Sequence, residues 1–315
     1  MNDVFETKDK ILFLEGGNHS VFELFSEESF NKKEKKIKKN ASIYARNLKS
    51  RKRHCEKLKI PFINLIFPDK CVAFSQHQEL LPYNLKSLFL DCYLQQYPDI
   101  STTTEYLLKE LADPNCWLKT DTHLSPEGRI AATKSITSSR LLFDQDQILL
   151  NKRRLEGIEN QVMNKKYIGD LGRKLVPPCE ELIKCHAIYS DSSLFKKANN
   201  GISSGNEGII EIIASQIGLI DSKLLIFGDS FMRQQLESLS LIFNKIIFMR
   251  TRYFHDEIVS DIRPDFVITS CAERYLSSIS PDSEAPNFYY YPYLKRKALN
   301  PSPSFFDLWE EILER

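Results

Sequence analysis

The stretch Lys223-Leu224-Leu225-Ile226-Phe227-Gly228-Asp229-Ser230-Phe231 decides how the rest of the chain is read. A short apolar run of strand character stops at a glycine, which removes a side chain where the backbone must turn sharply. A hydroxyl follows at once, ahead of a helix-like stretch from Met232 to Leu241. A serine at a strand-to-helix turn is presented on the rim of a sheet. Backbone N–H groups at the start of the following turn can meet an oxyanion there.

A serine hydroxyl is a weak nucleophile at neutral pH. It needs an imidazole to take its proton, and the imidazole needs a carboxylate to fix its tautomer. Thr120-Asp121-Thr122-His123-Leu124-Ser125-Pro126 supplies both. In an extended segment Asp121 and His123 would face the same side, so they can share a cleft; direct contact requires the segment to curl. Ser125-Pro126-Glu127 then reads as an N-cap, a proline at the first helical position and an acidic first turn. Both motifs therefore stand where one element ends and a helix begins, which is where open α/β sheets place their sites. Outside that context Gly-Asp-Ser is a common turn tripeptide, and a lone histidine is ordinarily a surface or satisfied core residue. The set Ser230, His123 and Asp121 predicts acyl transfer through a serine ester.

Working outward, apolar runs at Pro61–Phe67, Cys116–Lys119, Lys223–Phe227, Lys245–Met249 and Asp265–Thr269 read as strands. Helical patterns at Tyr83–Tyr97, Thr102–Leu111, Pro126–Leu142, Met232–Leu241 and Asp256–Asp261 separate them. Alternation of this kind predicts a mostly parallel sheet with helices on both faces. Residues 143–222 carry loop signals, including Pro177-Pro178 and Asn199-Asn200-Gly201. One domain spanning 1–315 is expected, with 143–222 as an elaborated insertion covering or flanking the site.

More of the chain resembles a known family. Gly228-Asp229-Ser230-Phe231 and Lys119-Thr120-Asp121-Thr122-His123 resemble the motifs of the alginate O-acetyltransferases, the AlgX/AlgJ-type domains. Ile11-Leu12-Phe13-Leu14-Glu15-Gly16-Gly17-Asn18 is similar to their opening strand and loop. Phe67-Pro68-Asp69-Lys70 and Gly169-Asp170-Leu171-Gly172 resemble two of their inner turns. Arg263-Pro264-Asp265-Phe266-Val267-Ile268, followed by Glu273-Arg274-Tyr275-Leu276, resembles the last sheet strand and its exit. The likeness runs from about residue 8 to about residue 295. It places Asp and His before Ser, the reverse of ordinary SGNH esterases.

The resemblance implies an SGNH-hydrolase-like three-layer α/β sandwich. It also implies Ser230 as nucleophile, His123 as base and Asp121 as its orienter. The expected activity is an O-acyltransferase, acetyl by preference, that acts on a glycan hydroxyl. A carbohydrate esterase with the same three residues, or a non-catalytic glycan-binding module, are the alternatives. The chain departs from the family at Leu124, where members carry a large aromatic, which implies a different acceptor.

Four further residues are candidates for substrate or oxyanion contacts. Asn18 can donate to an oxyanion or simply build a loop. Gly228 lets backbone approach closely. Arg274 can meet a substrate carboxylate or phosphate, although an ion pair with Glu273 or Asp265 is the better reading. Tyr290 belongs to Phe288-Tyr289-Tyr290-Tyr291, which can stack on sugar rings or form a final strand. Asp229 reads as a cap or brace beside the nucleophile.

Composition bounds the rest. A hydrophobic fraction of 42% with 27% charged residues allows a core and argues against disorder. No stretch approaches the roughly 20 apolar residues that span a bilayer. The N-terminus, Met1-Asn2-Asp3-Val4-Phe5-Glu6, has no basic n-region and no apolar h-region. The seven cysteines, an odd number without CxxC spacing, suggest neither a disulfide framework nor zinc. A reducing, cytoplasmic setting is the simplest reading; a periplasmic one requires an export route that the sequence does not display. No cofactor or metal is called for, and the acyl donor is not specified by any motif.

The net charge of +1 conceals an asymmetry. Asn31 to Lys59 holds 13 Lys/Arg and 2 Glu, a net of +11, which leaves the remainder at −10. The segment reads as a long helix opened by Ser29. It is either a solvated face or a surface for an anionic or lipid-linked partner. With Phe30 and Tyr44 as its only aromatics, it gives no strong nucleic-acid signal.

Overall fold

The computed structural model describes residues 3–16, 20–76, 81, 85–157, 162–186, 194–199, 207–297 and 299–313. Strand β1 (Val4–Glu6) pairs with β2 (Leu12–Leu14) as a small antiparallel ribbon. The main sheet has seven strands. They are β3 (Phe62–Phe67), β4 (Thr104–Tyr106), β7 (Leu194–Ala198), β8 (Ile209–Ser215), β9 (Ile220–Gly228), β10 (Phe243–Arg250) and β11 (Phe266–Ala272). Their spatial order is β4-β3-β11-β9-β10-β8-β7. The first five run parallel, and β8 and β7 extend the sheet antiparallel. Strands β5 (Val162–Tyr167) and β6 (Glu181–His186) form a separate antiparallel hairpin.

The central strands are apolar almost throughout because both of their faces are covered. All six residues of β3 are buried, as are Leu224–Gly228 of β9. Each fully buried Leu, Ile or Phe here contributes about 1.5–3 kcal/mol relative to exposure. On one face, Phe254 packs its ring on Phe62, Phe227 and His54 of the long helix Glu27–Leu58. On the other, Phe143 packs on Phe243 and Phe266, behind the helix Pro126–Thr137. The result is the three-layer α/β sandwich with a mostly parallel sheet that the sequence predicts.

Several boundaries differ from the sequence reading. The long helix starts one turn early, because the Ser26 hydroxyl, not Ser29, caps it by accepting from the Ser29 N–H at 3.3 Å. It ends where Lys59 takes a left-handed conformation with φ of 59°. Thr102–Leu111 is not helical: Thr104–Tyr106 forms the edge strand β4, paired with Asn64–Ile66. Cys116–Lys119 is not a strand; Pro114–Cys116 is a short 3-10 turn. Met232–Leu241 breaks into Ser230–Arg233 and Leu236–Leu239. The break turns the Gln235 amide inward, where it accepts from Thr133 at 3.4 Å and donates to the Phe231 carbonyl at 3.2 Å. Phe288–Tyr290 is a 3-10 turn rather than a final strand.

All seven cysteines are free. Among the described residues, no helix is long and apolar enough to cross a membrane.

Candidate active site

The nucleophile side of this site is built at the C-terminal edge of the parallel strands. Ser230, Asp69 and Arg274 each stand two residues past the ends of β9, β3 and β11. Gly228 ends β9 at a close approach to Ser270 and Met232. A Cβ there would lie 2.4 Å from Ser270 Oγ and 3.1 Å from Met232 Cβ. Asp229 braces the turn as its composition predicts. Its carboxylate accepts from the Phe231 N–H at 2.9 Å and from the Ala272 N–H at 2.6 Å, so it ties β9 to β11. Burial raises its pKa, and those two bonds oppose the rise.

The segment carrying Asp121 and His123 curls. Trp117 bridges Leu124, and the Leu118 N–H donates to the His123 carbonyl at 3.2 Å. The curl lets Asp121 Oδ1 accept from both the His123 N–H at 3.1 Å and His123 Nδ1 at 2.7 Å. His123 Nε2 lies 2.9 Å from Ser230 Oγ. With Nδ1 donating to the carboxylate, Nε2 is the acceptor for the serine hydroxyl. Ser230, His123 and Asp121 thus form one unbroken chain of hydrogen bonds. Asp121 is only 5% exposed and the imidazole 20%. Burial pushes the Asp121 carboxyl upward, but its bond and charge attraction to His123 win, aided by Tyr167, and its pKa falls well below the usual range.

Polar groups from β5, β6 and the connection between them hold this loop, in contacts that the sequence reading did not anticipate. Tyr167, at the end of β5, donates its hydroxyl to Asp121 Oδ2 at 2.7 Å, and the Asp170 N–H donates to the same oxygen at 3.0 Å. The Asp170 carboxylate accepts from the Thr122 N–H at 2.9 Å and hydroxyl at 2.8 Å. Glu181, opening β6, accepts from the Lys119 and Thr120 N–H groups and the Thr120 hydroxyl. Gly169 passes so close that a Cβ would stand 2.2 Å from the Thr120 carbonyl oxygen. The only sequence signal for these groups was the turn Gly169-Asp170-Leu171-Gly172, whose contacts no local pattern specifies.

Beneath the loop lies Lys70, whose side chain is buried. Its ammonium donates to the carbonyls of Leu12 (2.9 Å), Leu118 (2.6 Å), Lys119 (3.2 Å) and Asp121 (3.2 Å). One cation thus pins β2 to the loop that carries Asp121. Burial pushes its pKa down to about 7, and the carboxylates of Glu181, Asp121 and Asp170 oppose that.

Arg274 is corrected by the structure. It pairs with Asp69 (2.6 Å between Nη2 and Oδ1), not with Glu273 or Asp265, and both members are buried. Its guanidinium carbon lies 5.8 Å from the Phe231 ring centroid, and Phe231 in turn sits 5.1 Å from the His123 ring. Arg274 therefore braces the ring that backs the imidazole and is not presented to a substrate carboxylate. Leu124 is fully buried in the core, so it does not line an acceptor pocket. Tyr290 is 61% exposed, and among the described residues no contact joins it to Ser230 or His123. Asn18 lies outside the described residues.

Asp121, His123 and Asp170 also bring one donor atom each within 4.8 Å of one another, a spacing that suits a cation. Both Asp121 oxygens are committed to His123, Tyr167 and Asp170, and both Asp170 oxygens to Thr122. The cluster is a hydrogen-bonded network in which each acceptor already has its donor.

A cavity of about 310 Å³ abuts Gly228 and Asp229, the two residues before Ser230. Its walls include Arg250, Arg252, Tyr275, Ser278 and Asn47. Hydroxyl, amide and guanidinium groups face a space large enough for a small polar ligand.

No protein-family model and no curated protein matches the sequence. Solved structures do share the fold. PatB1 of Bacillus cereus superposes with a TM-score of 0.55 at 12% identity, covering 88% of this chain and 97% of its own. The O-acetyltransferase domain of Pseudomonas putida AlgJ gives 0.51 at 15% identity, covering 93% and 98%. A DHHW family protein from Eubacterium siraeum gives 0.50 at 12% identity, covering 83% and 89%. At these identities the likeness is one of fold.

Proposed function

We propose that this chain is a serine-dependent O-acyltransferase that moves an acetyl group to a hydroxyl of a glycan. The observation that carries the reading is the continuous Ser230–His123–Asp121 chain at 2.9 and 2.7 Å, on the sheet edge where α/β enzymes work. The fold shared with an O-acetyltransferase domain supports it.

In the proposed reaction Ser230 Oγ attacks the donor carbonyl while its proton passes to His123 Nε2. Asp121 holds the other imidazole nitrogen and stabilises the imidazolium. The Ser230 N–H, at the head of its turn, faces the oxyanion. Collapse returns the proton from His123 to the leaving group and leaves acetyl on Ser230. The acceptor hydroxyl then gives its proton to His123 and attacks the ester; collapse expels Ser230 Oγ, which takes that proton back from His123. An acceptor held against the acyl-serine outcompetes water, because positioning can be worth an effective molarity on the order of 10⁵ M.

The partition of the acetyl group tests the acceptor. With a nitrophenyl acetate donor, millimolar oligosaccharide should divert acetyl from hydrolysis to sugar esters, read by mass spectrometry of the sugars. If a broad glycan panel leaves hydrolysis unchanged and acetylated sugars are cleaved instead, the protein is an esterase.

A further inference from the structure

The charge on the long helix Glu27–Leu58 has no part in the site above. Its 32 residues reach about 48 Å, far beyond the six-residue strand β3 that it packs against. Phe30, Ile37, Tyr44, Leu48, Arg51 and Cys55 mark its buried stripe. Directly opposite stand Lys35, Lys39, Arg46, Lys49, Arg53 and Lys57, all exposed. At 100° per residue these six fall within roughly 80° of the helix circumference and span about 33 Å. Among the described residues none of the six forms an ion pair, and only Lys35 stands near enough to an acid, Glu34, to help lower its pKa. Glu34 and Glu56 lie on the flank of the ridge, engaged by Lys38 at 2.5 Å and Lys52 at 3.9 Å.

The shape of this array selects its partner. Lys35, Lys39 and Lys57 stand exposed along the rod, and Arg46, Lys49 and Arg53 border a groove shared with Tyr97 and Asp99, so together they present a line of charge about 33 Å long that a plane or a long polymer can span. Phe30 and Tyr44 are buried and Tyr97 at the groove is half-buried, so the ridge offers no row of open rings on which successive bases stack. The remainder of the chain carries −10, which repels a polyanion that wraps the molecule but tolerates one touching a single face. A flat anionic surface meets both conditions.

We propose that this ridge docks the protein on a bilayer rich in anionic lipids. Orientation follows from the fold. Asn40 of the helix donates to the Leu276 and Ser277 carbonyls, which lie beyond the end of β11. The helix residues before Asn40 therefore project past the sheet edge that carries Ser230. A chain lying along its ridge sets the sheet behind the helix, with the Ser230 edge toward the helix's N-terminal end. The inference is independent of the acyl-transfer reading.

Vesicle flotation tests it. The full chain should float with phosphatidylcholine vesicles containing about 30% phosphatidylglycerol, and not with phosphatidylcholine alone. Binding should be lost between about 50 mM and about 300 mM salt. The triple variant Lys35→Gln, Arg46→Gln, Arg53→Gln should lose about tenfold or more in partition. Because these side chains are exposed, its melting temperature and its hydrolysis of a soluble nitrophenyl ester should match the parent. Equal binding to neutral vesicles, no binding to anionic ones at low salt, or displacement from vesicles by a tighter-binding DNA oligonucleotide would overturn the proposal.

Discussion

Tyr167 Oη donates to Asp121 Oδ2 at 2.7 Å, so the carboxylate of Asp121 serves a phenol and an imidazole at once. The phenol arrives from β5, outside the parallel sheet. It fixes the carboxylate plane that faces His123. Tyr167→Phe should lower kcat on a nitrophenyl ester by about tenfold, with KM little changed, as expected for one charge-assisted bond. Unaltered kcat would show that Asp121 is oriented without the phenol.

Lys70 is the keystone below the loop. Lys70→Met takes the shared donor from four carbonyls, those of buried Leu12, Leu118 and Asp121 and of exposed Lys119, and should cost roughly 3 kcal/mol of stability. Lys70→Arg keeps the charge but not the compact geometry and should fall between the two. Thermal or urea unfolding of the three proteins gives the ranking. A Met variant as stable as the parent would remove Lys70 from this role.

Gly228 and Ser270 are predicted to couple. Gly228→Ala drives a methyl against Ser270 Oγ, at 2.4 Å, and should destabilise by about 1–3 kcal/mol. Among the described residues the Ser270 hydroxyl has no hydrogen-bond partner, so Ser270→Ala alone should be nearly neutral. In the double variant part of the loss should return, a coupling that a double-mutant cycle measures. Strict additivity would contradict the steric account.

Glu273 sets a pH dependence. Its carboxylate accepts from Ser87, Tyr106 and the Phe89 N–H, yet burial outweighs those bonds and pushes its pKa up to about 7 from 4.5. The folded state therefore holds the proton more tightly than the unfolded one. Stability from this group is complete below about pH 4.5 and falls until about pH 7. Glu273→Gln removes the titration. Its melting temperature relative to the parent should be higher at about pH 8 than at about pH 5, by at least about 3 °C. A constant difference would show that Glu273 does not carry the shift.

The parallel sheet was legible because its strands announce themselves: Lys223–Phe227 and Pro61–Phe67 are apolar runs that only a two-sided core explains. Ser230 and His123 were legible because Ser230 follows a strand and His123 stands two residues before the Ser125 cap of a helix. Strand β4 was not, since three residues at a sheet edge owe their conformation to pairing with Asn64–Ile66 and not to their own pattern. Asp69 as the partner of Arg274 was equally hidden, at a separation of 205 positions. Tyr167, Asp170 and Glu181 converge on one loop through polar contacts, which leave no periodicity in the sequence.

The central claim is that Ser230 carries the acyl group, and intact-protein mass spectrometry after brief incubation with nitrophenyl acetate tests it most directly. The account predicts one added acetyl group, mapped to Ser230 in a peptide digest. It predicts none in Ser230→Ala, with the melting temperature of that variant nearly unchanged. Full turnover by Ser230→Ala, or acetyl found only on other residues, would contradict it.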